Sequence, residues 1–218
     1  TEYVTGFESR SETGEPSAPW TAQPLNMQAV SICFALDHVD GNHVIDRPAN
    51  YAFWRDYRPE FWGGPLLGWR SPHPRTLEIV ERSFTPNPDD DPLAVNADQR
   101  LNPGDGNLWT FRRIAARRNF TAGTYASDIT LVNWPMIDYF EGPVFEVPEE
   151  EAQRHLAGAE ELSRCVLYWL QTEAPRLDGG GSGRGVVHTG AAVAAKGIRS
   201  DVPDLERIIV GDLLRDVQ

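Results

Sequence analysis

Only two cysteines occur in 218 residues, too few for a disulfide framework of the kind small secreted domains use. Cys33 sits in an apolar strand-like run and Cys165 in an apolar helical one, so both read as buried free thiols. That reading favours a reducing, cytoplasmic compartment. Positive charge is also scarce, with 20 Lys and Arg against 32 Asp and Glu and a formal net charge of −12. A nucleic acid or an anionic membrane surface needs a basic face, so both are excluded as partners. No apolar run approaches the roughly 20 residues of a membrane-crossing helix. No G-x-S-x-G nucleophile turn occurs, and no Cys has a local His signature. The G-x-G-x-x-G turn of dinucleotide-binding domains is missing too. Gly179-Gly180-Gly181-Ser182-Gly183-Arg184-Gly185 fails its spacing and follows no strand.

Two acidic clusters invite a metal and do not hold one on this reading. Asp37-His38-Val39-Asp40-Gly41-Asn42-His43 carries ligand-type side chains, but turn geometry already explains its Asp, Gly and Asn. Asp89-Asp90-Asp91 lacks the glycine and glutamate of a calcium loop and reads as a solvated loop. The metal expectation is none.

What remains is an ordinary globular composition, 40% apolar and 24% charged. The expected fold is α+β: a mixed or antiparallel sheet of at least four strands with one long packed helix over about 148–171. Pro148 suits the first helical position, and Glu149, Glu150 and Glu151 favour the positive end of the dipole. Leu156, Ala159, Leu162, Val166 and Trp169 then form one apolar stripe. Met27 to Leu36 reads as a central strand, with a turn at Asp40-Gly41-Asn42 and a hairpin partner over His43 to Asp46. A short helix is expected before Pro59, and strands over Leu77–Phe84 and Leu108–Ile114. Residues 179–183 have a linker's composition. They divide a 1–178 domain from an unassigned 184–218 extension, in which a short Ala-rich helix is expected.

The stretch from Asp128 to Tyr139 carries the most information. Asp128, Thr130 and Val132 alternate with Ile129, Leu131 and Asn133, the period of a strand. Pro135 ends the ladder. The strand thus delivers an amide, an indole and a carboxylate to its end, an arrangement that lines pockets as well as turns.

Four stretches in order resemble the substrate-binding part of the FAD-dependent oxidoreductases, from Tyr3 to about Pro175. They are Gly6-Phe7-Glu8-Ser9-Arg10-Ser11-Glu12-Thr13-Gly14-Glu15; Gln28 to Leu36 with Arg47-Pro48-Ala49-Asn50-Tyr51; Ser127 to Tyr139; and Leu167-Tyr168-Trp169-Leu170-Gln171. The resemblance implies FAD as cofactor and a small organic substrate oxidised by hydride transfer. It makes Asp138 the candidate base, with Asn133, Trp134 and Tyr139 shaping the substrate pocket. Arg112 and Arg113 become candidates for the flavin pyrophosphate or an anionic substrate; pairing within this acidic chain is their other reading. Because the glycine-rich turn is missing, the resemblance also implies a separate or missing nucleotide-binding segment as partner. The competing reading is a ligand-binding or packing module without cofactor or catalysis.

Overall fold

The computed structural model describes residues 5–40, 43–73, 76–89 and 107–175, and the backbone of a strand at 191–196. Its surest element is a helix, Glu149–Thr172, with three glutamates in its first turn. Pro148 is the N-cap, in extended conformation, one position earlier than expected. The stripe buries Ala159, Leu162, Val166 and Trp169 as the spacing requires. At its N-terminal end the buried face turns: His155 goes inside and Leu156 is only half-buried.

In chain order the strands are β1 (Val30–Ser31), β2 (Phe34–Asp40), β3 (Arg70–Pro72), β4 (Ile79–Glu81), β5 (Arg113–Ala115), β6 (Ile129–Val132), β7 (Asp138–Tyr139) and β8 (Ala191–Lys196). The helices are α1 (Arg10–Thr13), α2 (Tyr51–Asp56), α3 (Leu108–Phe111) and α4, the long one. The architecture is α+β, with one long helix and small antiparallel sheets in place of one large sheet. β5, β6 and β2 lie side by side, and the backbone of β8 runs along the other edge of β2. β1 pairs with β7 and β3 with β4.

The division has a local cause. The expected 27–36 strand breaks after Ser31, and its partner breaks opposite, at the 3-10 turn Pro135–Ile137. Proline has no N–H for the ladder, so pairing is interrupted where it enters. On the other strand, α4 takes up the loose carbonyl: Ser163 Oγ donates to Ile32 O at 2.7 Å. Val30–Ser31 and Asp138–Tyr139 then pair beyond the break.

Three other expectations are corrected. Residues 43–46 form no hairpin strand, because Gln171 of α4 satisfies their backbone: Ile45 N–H donates to Oε1 at 3.0 Å and Nε2 donates to His43 O at 2.7 Å. Leu108 to Phe111 is a helical turn, since Asn107 accepts from the Trp109 N–H at 3.1 Å, and only Arg113–Ala115 is strand. The expected Ala-rich helix is the strand β8, which finds an open ladder along β2. The helix before Pro59 stands as expected at α2. The turn residues 41–42 and the linker 179–183 lie outside the described residues.

An aromatic core joins these pieces. Trp69 packs on Trp169 of α4, with ring centroids 4.9 Å apart, and stacks on Phe84. Phe84 in turn meets Trp134 edge-on at 5.4 Å. The turn that follows β6 is thereby locked to the long helix through buried rings.

Candidate functional site

A groove of about 600 Å³ opens where the end of β6, the turn at Pro135 and β7 meet the β3–β4 ladder and the aromatic turn at Phe61 and Trp62. That volume lies within the range of small-molecule sites. Asn133, Trp134 and Asp138 all line it, together with Arg112. β6 alternates as its sequence implies, burying Thr130 and Val132 and leaving Ile129 and Leu131 half-buried. Asn133 follows on the half-buried side.

Asp138 is half-buried in β7, directly opposite Ser31 in the β1–β7 register. Ser31 Oγ donates to Asp138 Oδ1 at 2.6 Å. Burial pushes the Asp138 carboxyl above the usual carboxylate range, and the Ser31 hydrogen bond opposes that shift. A carboxylate strengthened as a base by desolvation suits proton abstraction. The Cys33 thiol is pushed up first by burial and then by Asp138, while Arg112 pulls it down.

Tyr139 is not brought to the groove. One residue along a strand reverses the face, so it points to α4, where its hydroxyl meets His155 Nδ1 at 3.0 Å. Gly158 makes that approach possible: a Cβ there would lie 2.8 Å from the tyrosine ring. Phe140 takes the groove position, two residues after Asp138. The same alternation separates the arginines. Arg113 is half-buried and donates to Asp128 Oδ2 at 3.0 Å, with side-chain exposures of 9% and 4%. Asp128 Oδ1 also accepts the Arg117 backbone N–H at 2.9 Å. Arg112 is exposed, with its guanidinium over the Phe111 ring at 4.6 Å, and it makes no ion pair among the described residues.

Sequence reasoning missed Phe140, Trp62, His73 and Arg82 in the wall. Period-two counting from Asp138 would have found Phe140. No local signal marks His73 and Arg82, which the β3–β4 ladder carries in. Arg82 is buried, and its Nε donates to Ser71 Oγ at 3.1 Å. Two indoles of the wall, Trp62 and Trp134, are buried with no acceptor for Nε1 among the described residues.

The family model for FAD dependent oxidoreductases matches residues 1–200. The chain belongs to this family. Neither a curated protein nor a solved structure matches it. As an FAD dependent oxidoreductase it is expected to use FAD. A pyrophosphate is usually held by backbone N–H groups at a glycine-opened helix N-terminus. Among the described residues one helix is longer than two turns, and Glu149, Glu150 and Glu151 crowd its N-terminus. Those carboxylates repel a pyrophosphate. The dinucleotide half of FAD therefore does not fit this helix terminus. No group of His, Cys, Asp and Glu among them is suited to a metal, and none of their helices is long and apolar enough to cross a membrane.

Proposed function

We propose that this chain supplies the substrate side of an FAD-dependent oxidoreductase. One observation carries the reading: a family member holds a partly desolvated carboxylate, Asp138, beside Asn133 and Trp134 in one groove. Hydride acceptance is the flavin's own chemistry, and the protein contributes orientation, exclusion of water and a proton acceptor. In this reading Asp138 takes a proton from an organic substrate, while Asn133 and the aromatic wall orient it. A nucleotide-binding segment outside the described residues holds the dinucleotide. Arg113, committed to Asp128, is then a structural cation, and Arg112 is the arginine available to a ligand. The free thiols Cys33 and Cys165 suit a cytoplasmic setting.

Titrating FAD into the purified chain, with flavin fluorescence as the signal, tests the assignment. The expected result is no stoichiometric binding by the chain alone. Joined to a dinucleotide-binding segment, it is expected to acquire a flavin absorbance band that substrate bleaches. Stoichiometric FAD on the chain alone would overturn the assigned division of labour. The glutamate-crowded helix terminus favours a second reading, a cofactor-free binding module, which predicts that no flavin-loaded assembly forms at all.

A further inference from the structure

We propose that the groove takes a flat organic acid, with Arg112 receiving its carboxylate and the aromatic wall its planar body. The inference rests on the substrate-side reading for its catalytic meaning.

Charge in the wall runs against the charge of the chain. The whole protein carries −12, yet among the described residues the groove is lined by two arginines, Arg82 and Arg112, and by one carboxylate, Asp138. Acids outnumber bases 32 to 20, so an arginine seldom lacks a partner in such a chain. Arg112 nevertheless makes no ion pair among the described residues and stands exposed on the groove. An exposed guanidinium already lying over Phe111 can add a bidentate carboxylate in its own plane without breaking an existing contact.

Hydrogen-bonding capacity points the same way. The Arg112 guanidinium carries five N–H donors and no acceptor, and it meets no carboxylate among the described residues. The one carboxylate acceptor among the described lining residues, Asp138, already takes the Ser31 hydroxyl. Two guanidinium groups against one carboxylate among the described lining residues complement a ligand rich in acceptors, which a carboxylate is.

Shape selects a flat body. Phe61 and Phe140 meet edge-to-face at 5.1 Å and 88°, and Trp62 approaches Phe140 at 5.9 Å. Phe61 remains 58% exposed and Phe140 37%. A planar apolar group laid against these rings removes that surface from water and gains ring contacts. An inorganic anion would use the arginine and leave the rings wet.

Phenylacetate, its neutral isostere phenylacetamide, acetate and inorganic phosphate are the probes, titrated into the full chain with tryptophan fluorescence and calorimetry as signals. Phenylacetate is expected to bind saturably, with the amide, acetate and phosphate each about tenfold weaker or more. Arg112→Gln is expected to weaken phenylacetate by about tenfold and leave the amide unchanged. Because Arg112 is exposed and makes no ion pair among the described residues, the variant should keep the parent's unfolding midpoint, which is measured alongside. Equal binding of acid and amide, phosphate binding as tight as phenylacetate, an indifferent Arg112→Gln variant, or no binding by any probe would each overturn the proposal. Binding here needs no flavin. Phenylacetate binding by a chain whose assembly never reduces flavin sinks only the oxidoreductase reading, and flavin reduction without acid binding sinks only this one.

Discussion

Ser31 donates its hydroxyl to Asp138 at 2.6 Å across the β1–β7 pair, and this contact sets how easily the groove's carboxylate ionises. Burial raises the Asp138 pKa and the serine lowers it, so the two act in opposition. Ser31→Ala removes the stabilising bond to the carboxylate. The expected result is a further rise in the pH at which Asp138 ionises, read from the carboxyl infrared band of the folded protein.

The sign for stability follows from the same shift. A carboxyl whose folded pKa lies above its unfolded value favours the fold while neutral. That contribution is complete below about pH 4, the unfolded value, and is lost as pH climbs through the folded one. Asp138→Asn stays neutral throughout and can still accept from Ser31. It is expected to raise the unfolding midpoint at pH 7 and to lose that advantage below about pH 4. Thermal unfolding of both proteins at several pH values checks it; a lower midpoint for the variant at pH 7 would contradict the burial argument.

In a flavin-loaded assembly the same variant should slow flavin reduction by about 10²–10⁴-fold, the range of general-base contributions. FAD affinity should change little, because no part of Asp138 is assigned to the cofactor. Stopped-flow absorbance under anaerobic conditions measures both. An unchanged reduction rate would leave Asp138 as the partner of Ser31 and nothing more.

Both thiols should be sluggish. The Cys165 thiol is pushed up to about 12 by burial and then by Glu161, and Cys33 is raised by burial and Asp138. The thiolate is the reactive species, so at pH 8 little of either is available. A chromogenic disulfide reagent should label the half-buried Cys33 slowly and the buried Cys165 more slowly still. Unfolding should release both at once. Rapid labelling of Cys165 in the native chain would refute its assigned burial.

Arg113→Met should be costly. It strands the Asp128 carboxylate, 4% exposed, leaving it the Arg117 backbone N–H among the described residues. Removing one member of a buried pair typically costs about 3–5 kcal/mol. Chemical denaturation measures it, and Arg112→Met serves as the comparison with little expected change. Equal effects of the two would mean that the strand alternation does not separate their roles.

Local rules were enough for the long helix, because three acids and an apolar stripe at helical spacing do not depend on what the helix packs against. They were enough for α2 before Pro59 and for the alternation of Thr130 and Val132, since backbone periodicity is a property of the segment itself. They also placed Asn133, Trp134 and Asp138 near one another, within a six-residue span closed by a proline turn. Tyr139 and Arg113 could not be oriented that way. A one-residue step on a strand reverses the face, and which face became the groove was decided by Gly158 admitting Tyr139 against α4 and by Asp128 drawing Arg113 inward. The failed hairpin at residues 43–46 has the same cause: Gln171, far along the chain, satisfied backbone groups that local reasoning gave to a strand partner. His73 and Arg82 reached the groove only through the β3–β4 ladder, and Trp62 through packing of a distant turn against Phe140. Short-range periodicity and turn chemistry live in the sequence, whereas long-range contacts choose which side of each element faces the ligand.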